Sequence, residues 1–170
     1  MSRINEYVAY TISHYSNVRD LDMSNCIFCQ VAKKEAPSTI VYEDELCIAF
    51  MDIFPIRPGH TLVIPKQHAA YLHQLPQLLR AHLFNISNAI LDAQRAAGIT
   101  QDGANLLVND GKAANQHVPH VHIHILPRSK GDMISVCWTF LTRMLNVFGR
   151  EKKKIRLEVQ AKQIKEQLKI

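Results

Sequence analysis

This chain predicts an α+β fold built on an antiparallel sheet, and three observations carry that expectation. Short β-rich runs occur at residues 39–42, 46–51, 61–64 and 104–108, and a strictly alternating run follows from His120. One long stretch instead repeats its apolar residues every three or four positions, the period of a helix packed on one side. No strand–helix–strand alternation of the kind that builds parallel sheets connects these runs.

Taken in order, Thr39–Tyr42 and Leu46–Met51 flank the acidic Glu43-Asp44-Glu45 and read as a hairpin with a short exposed turn. Thr61–Ile64 is a short buried strand. Pro76 suits the opening turn of a helix, because its missing N–H has no partner to lose there. From that point Leu79, Leu83, Ile86, Ile90, Ala93 and Ala97 form the stripe, and Gly98 ends it. Ala104–Val108 is a strand leading into Asn109-Asp110-Gly111, and a loop returns the chain to the alternating run.

That run, His117-Val-Pro-His120-Val-His122-Ile-His124-Ile-Leu-Pro-Arg128, holds four of the nine histidines in eight residues. In an extended chain His120, His122 and His124 share one face, each about 6.6 Å from the next, while Val121, Ile123 and Ile125 point to the other. One face goes to a core and the other to a ligand. Exposed strand faces usually carry Thr, Lys or Glu, so three imidazoles in register point to chemistry: nucleophile, acid or base, charge donor to an anion, or metal ligand.

The length of 170 residues suits one domain with a core, and 47% hydrophobic content is ordinary for a globular protein. No run approaches the ~20 apolar residues of a membrane span. Arg3, Glu6, Arg19, Asp20 and Asp22 interrupt the segment where a secretory leader would be apolar, so a cytoplasmic protein is expected. The cysteines are at 26, 29, 47 and 137. The C-x-x-C spacing of the first pair favours metal binding or free thiols over disulfides. A tetrahedral ion held by that pair needs two further ligands, which histidines can supply.

Charge is divided unevenly. Residues 141–170 hold nine Lys or Arg against three Glu, which leaves eleven basic and twelve acidic side chains for the rest of the chain. Leu157, Ala161, Ile164 and Leu168 recur at helical spacing in this basic segment, so it reads as an amphipathic helix that either docks on the body or a partner subunit, or binds polyanions.

Residues 120–126 spell His-φ-His-φ-His-φ-φ with φ apolar. Cys26-Ile27-Phe28-Cys29, Val41–Glu45, Ala49–Ile53, Pro58–Lys66 and Asn109-Asp110-Gly111 precede it. On these blocks, over roughly residues 25–138, the chain resembles the histidine triad nucleotide hydrolases and transferases, in particular the bacterial zinc-containing type similar to the purine nucleoside phosphoramidases. The resemblance implies a HIT-like fold: an antiparallel sheet of about five strands, a central long helix and a C-terminal helix. Residues 1–24 would then be an N-terminal extension, 25–140 the catalytic domain and 141–170 the basic amphipathic helix.

It also implies roles. His122 would be the nucleophile that attacks the α-phosphate of a nucleotide and forms a covalent nucleotidyl-histidine, with one ring nitrogen held by a backbone carbonyl. His124 and Asn109 would donate to the non-bridging oxygens. Ile27, Phe28, Phe50 and Ile53 would form an apolar slot for the base, and Asp52 would accept from the ribose. Structural zinc would be held by Cys26, Cys29, His68 and His120, the alternative being a thiol pair without metal. No organic cofactor is implied. The partners implied are a purine nucleotide or adenylated small molecule and a second copy of the chain in a homodimer joined edge to edge, with no membrane and with nucleic acid only as a minor alternative.

Two departures stand out in the loop, where Asn115, Gln116 and His117 replace the more usual glycine, glutamine and hydroxyl residue. Asn tolerates a left-handed backbone, whereas His117 would meet the leaving group with a different donor. Three readings remain at this point: a hydrolase of nucleoside phosphoramidates or related adenylated compounds, a dinucleoside polyphosphate hydrolase, or a nucleotide-binding module with little turnover. A catalytic metal on the histidine run lacks an acidic ligand beside it. A uridylyltransferase-like enzyme would need a longer chain, and no histidine follows His124 to complete an appended zinc finger.

Overall fold

The computed structural model describes residues 26–100, 102–142 and 150–170. The expected N-terminal extension, residues 1–24, lies outside them. Helix α1 (Ile27–Ala32) is followed by β1 (Ile40–Glu43), β2 (Cys47–Met51) and β3 (Thr61–Pro65), then by α2 (Gln77–Ala96) and β4 (Gly103–Val108). The chain continues through β5 (Ile123–Arg128), α3 (Met133–Thr142) and α4 (Arg150–Gln167). The five strands form one sheet in the order β1-β2-β3-β5-β4, and every neighbouring pair is antiparallel. The α+β expectation holds.

The acidic turn is less exposed than expected. Asp44 Oδ1 accepts from the N–H groups of Leu46 (2.8 Å) and Cys47 (2.7 Å), and Oδ2 receives the Tyr42 hydroxyl at 2.9 Å and lies 2.7 Å from His82 Nε2. Burial pushes its carboxyl up, but these hydrogen bonds outweigh burial and hold it below the ordinary carboxylate value. Glu43 bridges Lys34 and Lys66, so of the three acids only Glu45 is exposed.

Alternation gives the sheet two faces. Val41, Cys47, Ala49, Met51, Val63, Ile123 and Ile125 meet Leu79, Leu83, Ile86, Ile90 and Ala93 of α2 in the main core. Pro76 sits at the N-cap with an extended ψ of 146°, one position before the helical turn expected for it; Ala97 is the C-cap and Gly98, at φ +72°, turns the chain away. Phe50, Leu62, Ile48 and Ile64 face the other way and pack under α1 with Phe28, Cys29 and Val31.

The histidine run is only partly a strand. β5 starts at Ile123, because the ladders to β3 and β4 both end there, at Val63 and Val108. His120 and His122 lie beyond the last ladder bond, yet Val121 stays buried with the core and its N–H donates to Ala69 O at 2.7 Å. The alternation of faces therefore outlasts the strand, while the carbonyl of His120 is left for side chains to use.

The C-terminal helix docks on the body. Leu157, Ala161 and Ile164 are buried in the main core beside α2, β1 and β2, and Leu168 packs at its edge. Burying Leu157 and Ile164 alone is worth roughly 3–6 kcal/mol, a large part of the 5–15 kcal/mol typical of a whole domain. Truncation after Phe148 is therefore expected to lower the thermal midpoint steeply or yield insoluble protein. A truncated chain with an unchanged melting curve would mean that this burial contributes nothing. No helix among the described residues is long and apolar enough to cross a membrane.

Candidate active site

His124 stands opposite Leu62 of β3, which stands opposite Phe50 of β2, so the last histidine belongs to the face that packs under α1. His122 joins it across a ring-centroid distance of 4.8 Å, shorter than the spacing of an extended strand because the chain leaves the ladder between them. Phe28 lies edge-on to both His120 (6.0 Å) and His122 (5.2 Å), and to Phe50 (5.6 Å). All three triad histidines are buried.

Hydrogen-bond partners assign the ring protons. His122 Nδ1 is 2.7 Å from His120 O, an acceptor only, so Nδ1 carries a proton and donates it there. His120 Nε2 is 2.9 Å from Pro65 O and donates to it, which turns the Nδ1 lone pair toward the cysteines. Burial brings the His120 pKa down to about 4 and lowers that of His68, so both imidazoles are neutral at pH 7.

Cys26, Cys29, His68 and His120 bring one ligand atom each to within 4.8 Å of one another. His120 Nδ1 is 3.5 Å from Cys26 Sγ and 3.6 Å from Cys29 Sγ, and His68 Nδ1 is 3.2 Å from Cys29 Sγ. A tetrahedral ion with metal–sulfur bonds of ~2.3 Å and metal–nitrogen bonds of ~2.05 Å separates such atoms by about 3.6 Å. The donor set therefore fits a closed zinc-type site, and the bond from His120 to Pro65 is the outer contact that such a ligand needs. Burial, together with the neighbouring Cys26 thiol, pushes the Cys29 thiol up to about 12; a dication between the two sulfurs would reverse that balance.

A second chain of groups reaches His124 from behind. His60, 0% exposed, places Nε2 at 3.0 Å from His124 Nδ1. His60 Nδ1 has the N–H of Ile56 at 3.3 Å on its other side, so both ring nitrogens of His60 are engaged by the protein. Asp52 Oδ2 also lies 3.3 Å from His60 Nδ1, which makes Asp52, His60 and His124 one contiguous buried group. Asp52 Oδ1 accepts from Phe54 N at 2.8 Å, so both carboxylate oxygens of the expected ribose ligand have protein contacts.

The expected base slot divides. Phe28 and Phe50 are buried in the core under α1, whereas Ile27 is 45% and Ile53 59% exposed, so only the two isoleucines offer substantial open apolar surface. Asn109 is half-buried, with Nδ2 at 3.5 Å from Asn115 O, and Asn115 adopts the left-handed backbone its side chain tolerates, φ +63°. His117 is exposed. Gln116 pins this loop, accepting from Gly111 N (2.7 Å) and donating to Ala70 O (2.8 Å) and, more weakly, to His120 O (3.5 Å).

His60 belongs to this group as well: after Pro-Gly a single histidine reads first as structural, yet its ring lies against that of His124. Its signal was the turn itself, which delivers the side chain to the sheet beside Leu62, opposite His124.

The adenylylsulfatase HINT3 of Arabidopsis thaliana is 39% identical over 115 residues, 65% of this chain and 56% of that protein. The adenosine 5'-monophosphoramidase HNT1 of Saccharomyces cerevisiae is 40% identical over 103 residues, 61% of this chain and 62% of that one. A crystal structure of a Zn-bound histidine triad family protein from Mycobacterium smegmatis superposes with a TM-score of 0.65 at 35% identity, covering 85% of this chain and 98% of the other. Residues 33–131, more than half of the chain and the whole of the sheet, match the HIT domain, and the protein belongs to that family.

Proposed function

We propose that the protein hydrolyses nucleoside phosphoramidates or related adenylated compounds at the α-phosphate, through a covalent nucleotidyl intermediate on His122. The observation that carries this reading is the 2.7 Å bond between His122 Nδ1 and His120 O, which ties the Nδ1 proton to a carbonyl and makes Nε2 the nitrogen for attack. Nε2 attacks phosphorus, the bond to the leaving group breaks with its electron pair passing to that group, and water then displaces His122 to release the nucleoside monophosphate. His124 Nε2–H and Asn109 donate to the non-bridging oxygens. Exposed His117, one residue after the pinned Gln116, faces the leaving group and supplies its proton. Ile27 and Ile53 flank a purine above Phe28 and Phe50, with Asp52 toward the ribose. The relatives named as an adenylylsulfatase and a phosphoramidase act on adenylated substrates, which supports this class.

In the same reading Cys26, Cys29, His68 and His120 hold one structural zinc. Bound there, the ion cross-links α1 to the triad and takes no part in bond making. The chain works as a homodimer in the cytoplasm.

A substrate panel tests the reading: adenosine and guanosine 5'-phosphoramidates, an aminoacyl adenylate and diadenosine polyphosphates, assayed with and without chelator. Phosphoramidates or adenylates are expected to be turned over fastest, with release of the nucleoside monophosphate. Faster turnover of the diadenosine compounds would move the protein to the dinucleoside polyphosphate class. Tight binding of AMP with no turnover of any compound would leave a binding module.

A further inference from the structure

The main chain that carries His60 is gripped by side chains from two helices. Arg57-Pro58-Gly59-His60 is a type II turn: His60 N donates to Arg57 O at 3.1 Å, proline takes the second position, and Gly59 takes the third at φ +82°. A side chain at Gly59 would run into Ile99 and come within 3.0 Å of Pro127, so the turn is packed as well as bent. In such a turn the N–H of the third residue points outward and takes no part in the turn's own bond. Here it is buried, and it finds an acceptor 101 residues along the chain, Gln160 Oε1 of α4, at 3.2 Å.

The other end of the same residue is held as firmly. Gly59 O accepts from Gln94 Nε2 of α2 at 2.8 Å and from Thr61 Oγ1 at 2.9 Å. The next residue is His60, whose ring has no solvent around it and lies 3.0 Å from His124.

We propose that Gln160 of the C-terminal helix is a positioning residue for the triad: by accepting from Gly59 N it sets the turn that holds His60 against His124. The helix then acts on the chemistry as well as on the core. If the acceptor is lost, the buried Gly59 N–H must turn elsewhere to find one, and rotation of that peptide moves the His60 backbone. The 3.0 Å approach of His60 Nε2 to His124 Nδ1 depends on that placement. The inference rests on the proposed role of His124 as a donor to the phosphate.

The test uses the full-length protein with Gln160→Leu and Gln160→Asn, which remove or withdraw the acceptor, and Gln160→Glu, which retains it. kcat and KM are measured on adenosine 5'-phosphoramidate across pH, with thermal midpoints and ring 15N NMR spectra of His60 and His124. Expected for Gln160→Leu and Gln160→Asn is a fall in kcat of roughly 10- to 100-fold, with KM nearly unchanged and an altered ring pattern. Gln160→Glu should keep both kcat and ring pattern near wild type. A purely structural contact would lower the midpoint in the first two and leave kcat and its pH profile alone; that result, in whichever of them folds, overturns the proposal. Wild-type protein inactive on every compound of the panel would defeat the proposed function, and the ring spectra would still decide this inference.

Discussion

Replacing His122 with alanine is expected to abolish turnover and the trapped nucleotidyl-enzyme while leaving AMP binding within a few-fold of wild type. The imidazole forms the bond to phosphorus in the proposed mechanism, and the other two triad rings are turned to other contacts. His120 Nδ1 faces the cysteines and its Nε2 donates to Pro65 O, while His124 Nδ1 lies 3.0 Å from His60 Nε2. Loss of a covalent nucleophile costs roughly 10⁴- to 10⁶-fold in kcat. The removed ring leaves a gap beside Phe28, 5.2 Å away, so a modest fall in thermal midpoint should accompany it. Stopped-flow and mass spectrometry on the variant check both parts. Residual turnover above a few per cent, or an adduct at another residue, would place the nucleophile elsewhere.

The second large effect is expected at the cysteines. Protein purified without chelator should contain about one zinc per chain, and Cys26→Ser or Cys29→Ser should lose most of it. Each substitution removes one of four ligands and leaves a hydroxyl in a buried position, with Cys26 6% and Cys29 4% exposed. The ion would tie α1 to His120 and His68, elements otherwise joined by the small cluster around Phe28 and Phe50. A loss of about 3–5 kcal/mol would lower Tm by about 6–20 °C in a chain of this size. Chelation should loosen the fold before it slows the chemistry, because His122 does not touch the ion. Elemental analysis that finds no zinc would return the site to a buried thiol pair and His120 to orienting His122 through its carbonyl.

Local periodicity carried much of this. The spacing of Leu79, Leu83, Ile86 and Ile90 commits one helix face to the core whatever lies opposite, and the alternation from Val121 to Ile125 separates core from ligand face for the same reason. The histidine pattern and the C-x-x-C pair were equally plain, because three imidazoles on one strand face are costly to bury without a use and the two thiols have the spacing of metal ligands. The left-handed backbone of Asn115 is one that its side chain tolerates.

Other features depended on partners distant in the chain. β5 begins at Ile123 because Val63 and Val108 end the ladders there, and that is what leaves His120 O for the ring of His122. His60 gains its place from the register that sets Leu62 against His124, a pairing of residues 62 apart that no short window contains. The contacts of Asp52, Phe28 and Phe50 with His60, Phe54 and the core are set by how the loop after β2 and helix α1 close on the sheet. The basic tail shows the division most clearly. Its apolar spacing announces a helix that must cover something, yet only packing against α2, β1 and β2 brings Gln160 to the N–H of Gly59, because a buried turn takes its acceptor from whatever the fold lays beside it.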